Sequence, residues 1–412
     1  MADQPFVPRL LERSLSTAVG LFPVTAITGA RQTGKSTLSR NALPLGDYSY
    51  ITLDNVVARG MAQAEPYPFL TQADRLIVDE VQRAPELLLA IKEIVDTRQE
   101  TGQFILTGSA NLLLMQRVAE SLAGRARYLT LWPMTRREQL GLGEAGIWAQ
   151  LFAHPVRSWP DLVASEGVPR EDWRDLAERG GYPKPALSHP GPDGAEARNE
   201  IFAGYTQTYL ERDLRDLSAI DSLADFQRLM RAVCLRLGNL VSQTDLAANT
   251  GLPRTTVQRY LNLLEISYQL IRIEPYSVNR TKRLTKSPKY YWSDTGLALY
   301  LAGGVEPASA HLENIAITDL LAWRETESIR PSIHYWRTSG GEEVDIIVEW
   351  KGRLLAVEVK ATTHPCYKDA RHLRTFMAEY GDDVVGAILM HAGEDTAWIS
   401  ERVLSVPWWA VV

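Results

Sequence analysis

The chain has 412 residues, 45% hydrophobic and 23% charged, with 44 lysines and arginines against 50 acids and a formal charge of −6. That balance fits a globular chain of two to four domains at ~150 residues each; it excludes wholesale disorder and a generally basic nucleic-acid binder, though not a local basic patch. Two distant cysteines, Cys234 and Cys366, exclude a disulfide scaffold or a zinc site of several thiolates, and no apolar run nears ~18 residues and no signal-like leader is visible, so a cytoplasmic protein without membrane contact is expected.

In chain order, FPVTAIT (22–28), YSYITL (48–53), RLIVDE (75–80) and QFILTG (103–108) read as apolar strands, with the helical PELLLAIKEIVD (85–96) between the last two. Strands alternating with helices predict a parallel sheet covered on both faces, with ligands at the carboxyl ends of its strands. From about Pro133 the pattern turns helical and Trp-rich, and GLGEAG (141–146) is a loop, since no strand precedes it as a dinucleotide fingerprint requires. SHPGPDGAEA (188–197) reads as an exposed loop and 201–217 as one amphipathic helix. Several short helices follow 226, and strand-like runs return after 289 as IHYWRT, VDIIVEW and LLAVEVK. The expected units are 1–140, 141–225, 226–288 and 289–412.

Gly29-Ala30-Arg31-Gln32-Thr33-Gly34-Lys35-Ser36, followed by Thr37, fits G-x-x-x-x-G-K-[ST] between an apolar strand and a helix-capable stretch. The glycines let backbone N–H groups turn in around phosphate oxygens, and the next helix adds the positive end of its dipole. Lys35 would neutralise the β- and γ-phosphates of ATP, and the Ser36 hydroxyl would bind Mg²⁺. The strand ending Asp79-Glu80 supplies the second half: Asp79 as Mg²⁺ ligand and Glu80 as general base toward water. After the next strand, Ser109 and Asn111 are candidates to sense the γ-phosphate, or else cap a helix. Arg125, Arg212 and Arg215 are candidates for a fixed arginine on the transferring phosphate, against the ordinary alternative of a solvated ion pair.

Residues 240–252 read as a capped helix ended by Gly251, and 253–261 open a second helix, the helix-turn-helix order. Arg254, Thr255, Thr256, Gln258 and Arg259 fall on or near its exposed start. From 228 to 290 there are 11 basic and three acidic residues, a local +8 on a remainder of −14. That asymmetry points to DNA; a protein-binding module is the alternative. Further on, Asp345 and Glu358 lie 13 residues apart on two apolar strands, and Glu358 and Lys360 share one strand face. Two carboxylates and a lysine so placed could hold Mg²⁺ and activate water, or could be a solvated hairpin.

Together these strings are similar to the prokaryotic AAA-type ATPases that carry a C-terminal domain of unknown function. The strings that carry the resemblance are ITGARQTGKST, YITLDNVVARGMAQAEPYPFL, LIVDEVQRAPELL, FILTGSANLLL, ESLAGRARYLTLWPMTRRE, GGYPKPAL, YLERDLRDL and SPKYYWSDTGLA, in that order. The resemblance implies an α/β P-loop ATPase domain, a helical and winged-helix-like region, and a small α/β module similar to restriction-type nucleases. It also implies an oligomer. Within the last module, Asp345, Glu358 and Lys360 resemble the PD-(D/E)XK core, and Glu313 matches the further acid such cores often carry. The expected function is an Mg²⁺-dependent ATPase remodelling or moving on DNA; the alternatives are an ATP-controlled switch that binds a protein partner and an ATP-gated nuclease.

Overall fold

Five strands build the first sheet of the computed structural model, which describes residues 6–42, 48–109, 122–188, 194–209, 220, 222–277 and 287–412. β1 (Val24–Thr28), β2 (Ser49–Thr52), β3 (Leu76–Asp79), β4 (Phe104–Gly108) and β5 (Ala126–Thr130) lie in the order β2-β3-β4-β1-β5. Every pairing is parallel. β1, β3 and β4 are buried along their whole length, which is why they read as continuous apolar runs rather than alternating ones. β5 is not legible in the sequence: of ARYLT only Leu129 is fully buried, so the segment carries no strand-like apolar run. Around this sheet, α1 (Glu12–Leu21) packs on β1 and β5, and α2 (Lys35–Asn41) packs on β4. α3 (Leu87–Arg98) buries Leu87, Leu88, Ile91, Ile94 and Val95 in the core of this sheet.

A short helix α4 (Pro183–Ala186) and the longer α5 (Gly194–Thr208) come next. α5 begins inside the stretch expected to be loop. Its Glu196 lies in the first turn, where a carboxylate is favoured by the helix dipole. The expected continuation of this helix toward 217 lies outside the described residues.

α6 (Leu223–Cys234) is capped by Ser222, and α7 (Gln243–Thr250) by Ser242, each through the backbone N–H three residues on. Gly251, at φ 70°, closes α7, and α8 (Arg254–Ile266) follows. Here glycine is needed, because a left-handed helix end strains other residues.

β6 (Leu270–Pro275) and β7 (Lys289–Trp292) form an antiparallel pair, with α9 (Thr295–Ala302) and α10 (Ser309–Thr326) after them. The rest is β8 (Ser332–Arg337), β9 (Glu343–Trp350), β10 (Arg353–Lys360), α11 (Arg371–Tyr380), β11 (Val384–His391), β12 (Ala397–Ser400) and β13 (Val403–Pro407). All these strands join one eight-stranded sheet, β12-β13-β11-β10-β9-β8-β6-β7. β6 pairs in parallel with β8, Glu274 against His334, so the hairpin after α8 and the C-terminal strands are continuous. The β6–β7 pair thus spans the boundary expected at 288. The largest core cluster runs through both parts and includes the fully buried Trp148, Trp159, Trp173, Trp292, Trp323 and Trp408.

Candidate functional site

The phosphate loop leaves β1 at Thr28 and enters α2 at Lys35. Gly29 has φ 144°, Gln32 61° and Gly34 95°, and a Cβ on Gly29 would sit 2.3 Å from the Leu131 carbonyl oxygen. Glycine is therefore required there on two counts, conformation and space. Lys35, nearly buried, donates to the carbonyls of Gly29 (3.1 Å) and Ala30 (2.7 Å). Arg9 braces the loop from outside, donating to the carbonyls of Thr33 (2.8 Å) and Trp132 (2.7 Å) and pairing with Glu138 at 3.0 Å.

At the end of β3, Asp79 is the focus of three hydroxyls. Ser36 reaches its two oxygens at 2.9 and 3.0 Å, Tyr50 donates at 2.7 Å, and Thr107 donates from β4. Burial, then the Asp79 carboxylate, hold the Tyr50 phenol well above its ordinary range, so it stays a donor. Glu80 follows at φ 58°, a left-handed turn that swings its side chain off the strand. Its carboxylate accepts from the Gln82 amide and from Ser109 (3.4 Å), and the Gln82 amide also reaches Ser109 at 3.2 Å.

Lys35, Ser36 and Glu80 face a cleft of about 610 Å³. One wall is the phosphate loop with Glu80; the other comes from α4 and α5, through Pro183, Lys184, Glu200, Tyr205 and Thr208. The turn before α4 is tightly specified. Asp294, buried at the start of α9, accepts from the backbone N–H of Gly181 (2.6 Å), Tyr182 (2.9 Å) and Leu297 (2.7 Å). A Cβ on Gly180 would lie 2.4 Å from that carboxylate, and one on Gly181 2.5 Å from the Met134 carbonyl oxygen. Near the same loop, Tyr268, just past α8, donates to the Thr28 hydroxyl at 2.8 Å.

The structure thus brings together Gly29, Gly34, Lys35, Ser36, Asp79, Glu80 and Ser109. Gln32 and Thr37, both exposed, also line the cleft. Arg125 is elsewhere: it forms a two-pronged pair with Asp96 of α3, 2.5 and 2.8 Å, outside the cleft lining. Asn111, Arg212 and Arg215 lie outside the described residues. Sequence reasoning misses Tyr50, Gln82, Thr107, Lys184, Tyr268 and Asp294. Gln82 stands close behind the two acids, and Lys184 and Asp294 sit in the strings GGYPKPAL and SPKYYWSDTGLA, which are legible as strings but not as neighbours.

In the helix-turn-helix region, Arg254, Thr255 and Gln258 are exposed, while Thr256 and Arg259 are half-buried, Arg259 lying over the Tyr260 ring. Not all of the local positive charge is available to a ligand. Arg272 pairs with Glu274 (3.1 Å), and Lys289 is buried among carboxylates. Arg280, Lys282, Arg283 and Lys286 lie outside the described residues.

The C-terminal candidates do meet. The β9–β10 register pairs Val357 with Ile346, so the next step sets Glu358 beside Asp345, and the Val359 N–H donates to Asp345 at 2.9 Å. Lys360 lies 2.5 Å from Glu358. Glu313 of α10 faces the same point, and so does Lys289 of β7, which the sequence does not single out.

The parallel sheet, the phosphate loop and the hydroxyl–carboxylate pair are those of a P-loop ATPase fold. Residues 21–140 match the family described as an AAA domain. Behind it, 170–308 and 308–411 match two domains of unknown function, DUF8612 and DUF4143. An uncharacterized protein of Mycobacterium bovis is 29% identical over 403 residues, 95% of this chain and 82% of that one. One from Haemophilus influenzae is 20% identical over 324 residues, 72% of this chain and 74% of that one. Among solved structures, a Walker-type ATPase of Pyrococcus abyssi is similar with TM-score 0.46 and 18% identity over 73% of this chain and 98% of the other. The RuvB Holliday junction branch migration motor of Thermotoga maritima is similar with TM-score 0.29 and 19% identity over 67% and 94%. Among the described residues no helix is long and apolar enough to cross a membrane.

Proposed function

We propose that this ATPase is Mg²⁺-dependent and acts on DNA, coupling hydrolysis to movement of its helix-turn-helix region. The phosphate loop and Lys35 would hold ATP, and Ser36 with Asp79 would hold the metal. Bound Mg²⁺ would neutralise charge on the phosphates. The residues suit it: a hydroxyl and a carboxylate already in contact offer two hard oxygen donors at the loop. Glu80 would take the proton of the attacking water once it leaves Gln82 and Ser109. Lys184 would add a second positive charge from the α4 wall. A neighbouring copy in an oligomer would supply an arginine to the transferring phosphate.

The observation that carries the DNA reading is the short path from cleft to α8. Arg254, Thr255 and Gln258 are exposed at the start of α8, and Tyr268, just past its end, is bonded to Thr28 at the base of the phosphate loop. The test is steady-state ATP hydrolysis without DNA and with single-stranded, duplex and four-way-junction DNA. Stimulation by one form supports the proposal and names the substrate. A flat response refutes it and favours a switch read by a protein partner.

A further inference from the structure

The nuclease-like cluster has an unexpected member. The Lys289 Nζ lies 2.6 Å from Glu343, 3.2 Å from Glu313 and 3.7 Å from Asp345. Its side chain is 3% exposed, so these carboxylates are its surroundings. Tyr291, next but one on β7, donates to the same Glu313 oxygen. Lys360 pairs with one oxygen of Glu358, whose other oxygen is buried without a hydrogen-bond partner, and Arg337 adds to Glu343 at 3.2 Å.

A divalent ion bridging Asp345 and Glu358 would have to share this space with an ammonium. Like charges that close repel strongly where water is excluded, and the ammonium already occupies the position between the carboxylates. The protonation states run the same way. Burial, then Asp345, push the Glu313 carboxyl up to about 7, and the same two causes raise Glu358. Burial alone would lower the Lys289 ammonium, but Glu313, Asp345 and Glu343 overcome it and hold it above the usual lysine range. Among the described residues, no group of three or more His, Cys, Asp or Glu is disposed to hold a metal ion.

We propose that Lys289 is the resident cation of this cluster, that it excludes divalent metal, and that the cluster fastens the β6–β7 hairpin to the C-terminal sheet. The fit to β7 is consistent with such a fastening. The strand's other contacts are also inward: the Trp292 backbone exchanges two hydrogen bonds with the Asn314 side chain, 2.9 and 2.7 Å. The hairpin that follows the helix-turn-helix is thereby held by charge at Lys289 and by amide bonds at Trp292.

The test uses the full chain carrying Asp79→Asn, without nucleotide, so that the phosphate-loop carboxylate does not contribute. Mn²⁺ is titrated and free ion is read by electron paramagnetic resonance. No stoichiometric binding is expected up to ~1 mM, the weak end of the range of built hard-cation sites. One Mn²⁺ per chain, abolished by Asp345→Asn, would overturn the exclusion. In parallel, Lys289→Met should lower the melting temperature by more than ~5 °C, since it leaves buried carboxylates without their cation. Lys289→Met with Glu313→Gln should recover part of that loss, because the least exposed of the three carboxylates around Lys289 is then neutral, while Glu343 and Asp345 remain. An unchanged melting temperature in the single variant, or no recovery in the pair, would overturn the fastening role. If the single variant does not fold, a folded double variant supports the fastening, and an unfolded one overturns it.

Discussion

Two sites in this chain are built from the same parts, a lysine and several carboxylates at strand ends, and they are wired in opposite ways. At the phosphate loop, Lys35 donates to backbone carbonyls and Asp79 accepts from hydroxyls, all beside an open cleft. In the C-terminal sheet, Lys289 bonds the carboxylates themselves and is buried with them. The first keeps its charges for a ligand; the second neutralises them internally. A motif of residue types does not distinguish these cases, because the difference lies in which group fills the space between the carboxylates.

The largest effect that would sharpen this contrast is catalytic. Glu80→Gln should bind ATP while losing ~10²–10⁴ in turnover, the range for removing a general base. Lys35→Ala should lose ATP binding as well. Lys289→Met, provided it folds, should leave turnover within about twofold at a temperature where it is native. Loss of turnover there comparable to Glu80→Gln would erase the contrast, and fluorescent-nucleotide binding with phosphate release measures all three.

Next comes stability against pH. Glu313 has its folded carboxyl pushed up to about 7 by burial and by Asp345, with Lys289, Tyr291, Glu343 and Glu358 also facing it. A raised folded value means that its contribution is fully present below the unfolded ~4.3 and is lost as pH rises through about 7. The loss is on the order of 3 kcal/mol. Urea unfolding from pH 4.5 to 8 should therefore show a falling limb that Glu313→Gln flattens. An equal slope in both proteins would remove the buried acid from the account.

Much of the first site is legible in the sequence. Gly29 to Ser36 and Asp79-Glu80 are fixed by local backbone demands and by their position at strand ends, and short-range patterns record both. Tyr50 and Thr107 are not legible, since hydroxyls are common on strands and only the β2-β3-β4 adjacency aims them at Asp79. Lys184 depends on Asp294, more than a hundred residues on, gripping the turn at Gly181. At the second site, Asp345 and Glu358 follow from hairpin register, but Lys289 arrives from β7 by way of three-dimensional packing. The same packing reduces the apparent DNA footprint, because Lys289 belongs to the positive stretch in sequence and faces inward in the fold.

Smaller effects refine the cleft and the proposed DNA contact at α8. Lys184→Ala should raise KM for ATP roughly tenfold with little change in kcat if it binds phosphate in ground and transition state alike. A purely kcat effect would give it a different role. Arg254→Ala with Arg259→Ala should weaken duplex binding and reduce the slope of log affinity against log salt by about one for each phosphate no longer neutralised. An unchanged slope would contradict the proposed DNA contact at α8.

The contrast between the two sites is tested most directly by counting Mn²⁺ on the wild-type chain with a non-hydrolysable ATP analogue. The account predicts one ion per chain, present only with nucleotide, abolished by Asp79→Asn and untouched by Asp345→Asn. Two ions per chain, or an ion that persists without nucleotide and disappears in Asp345→Asn, would contradict it.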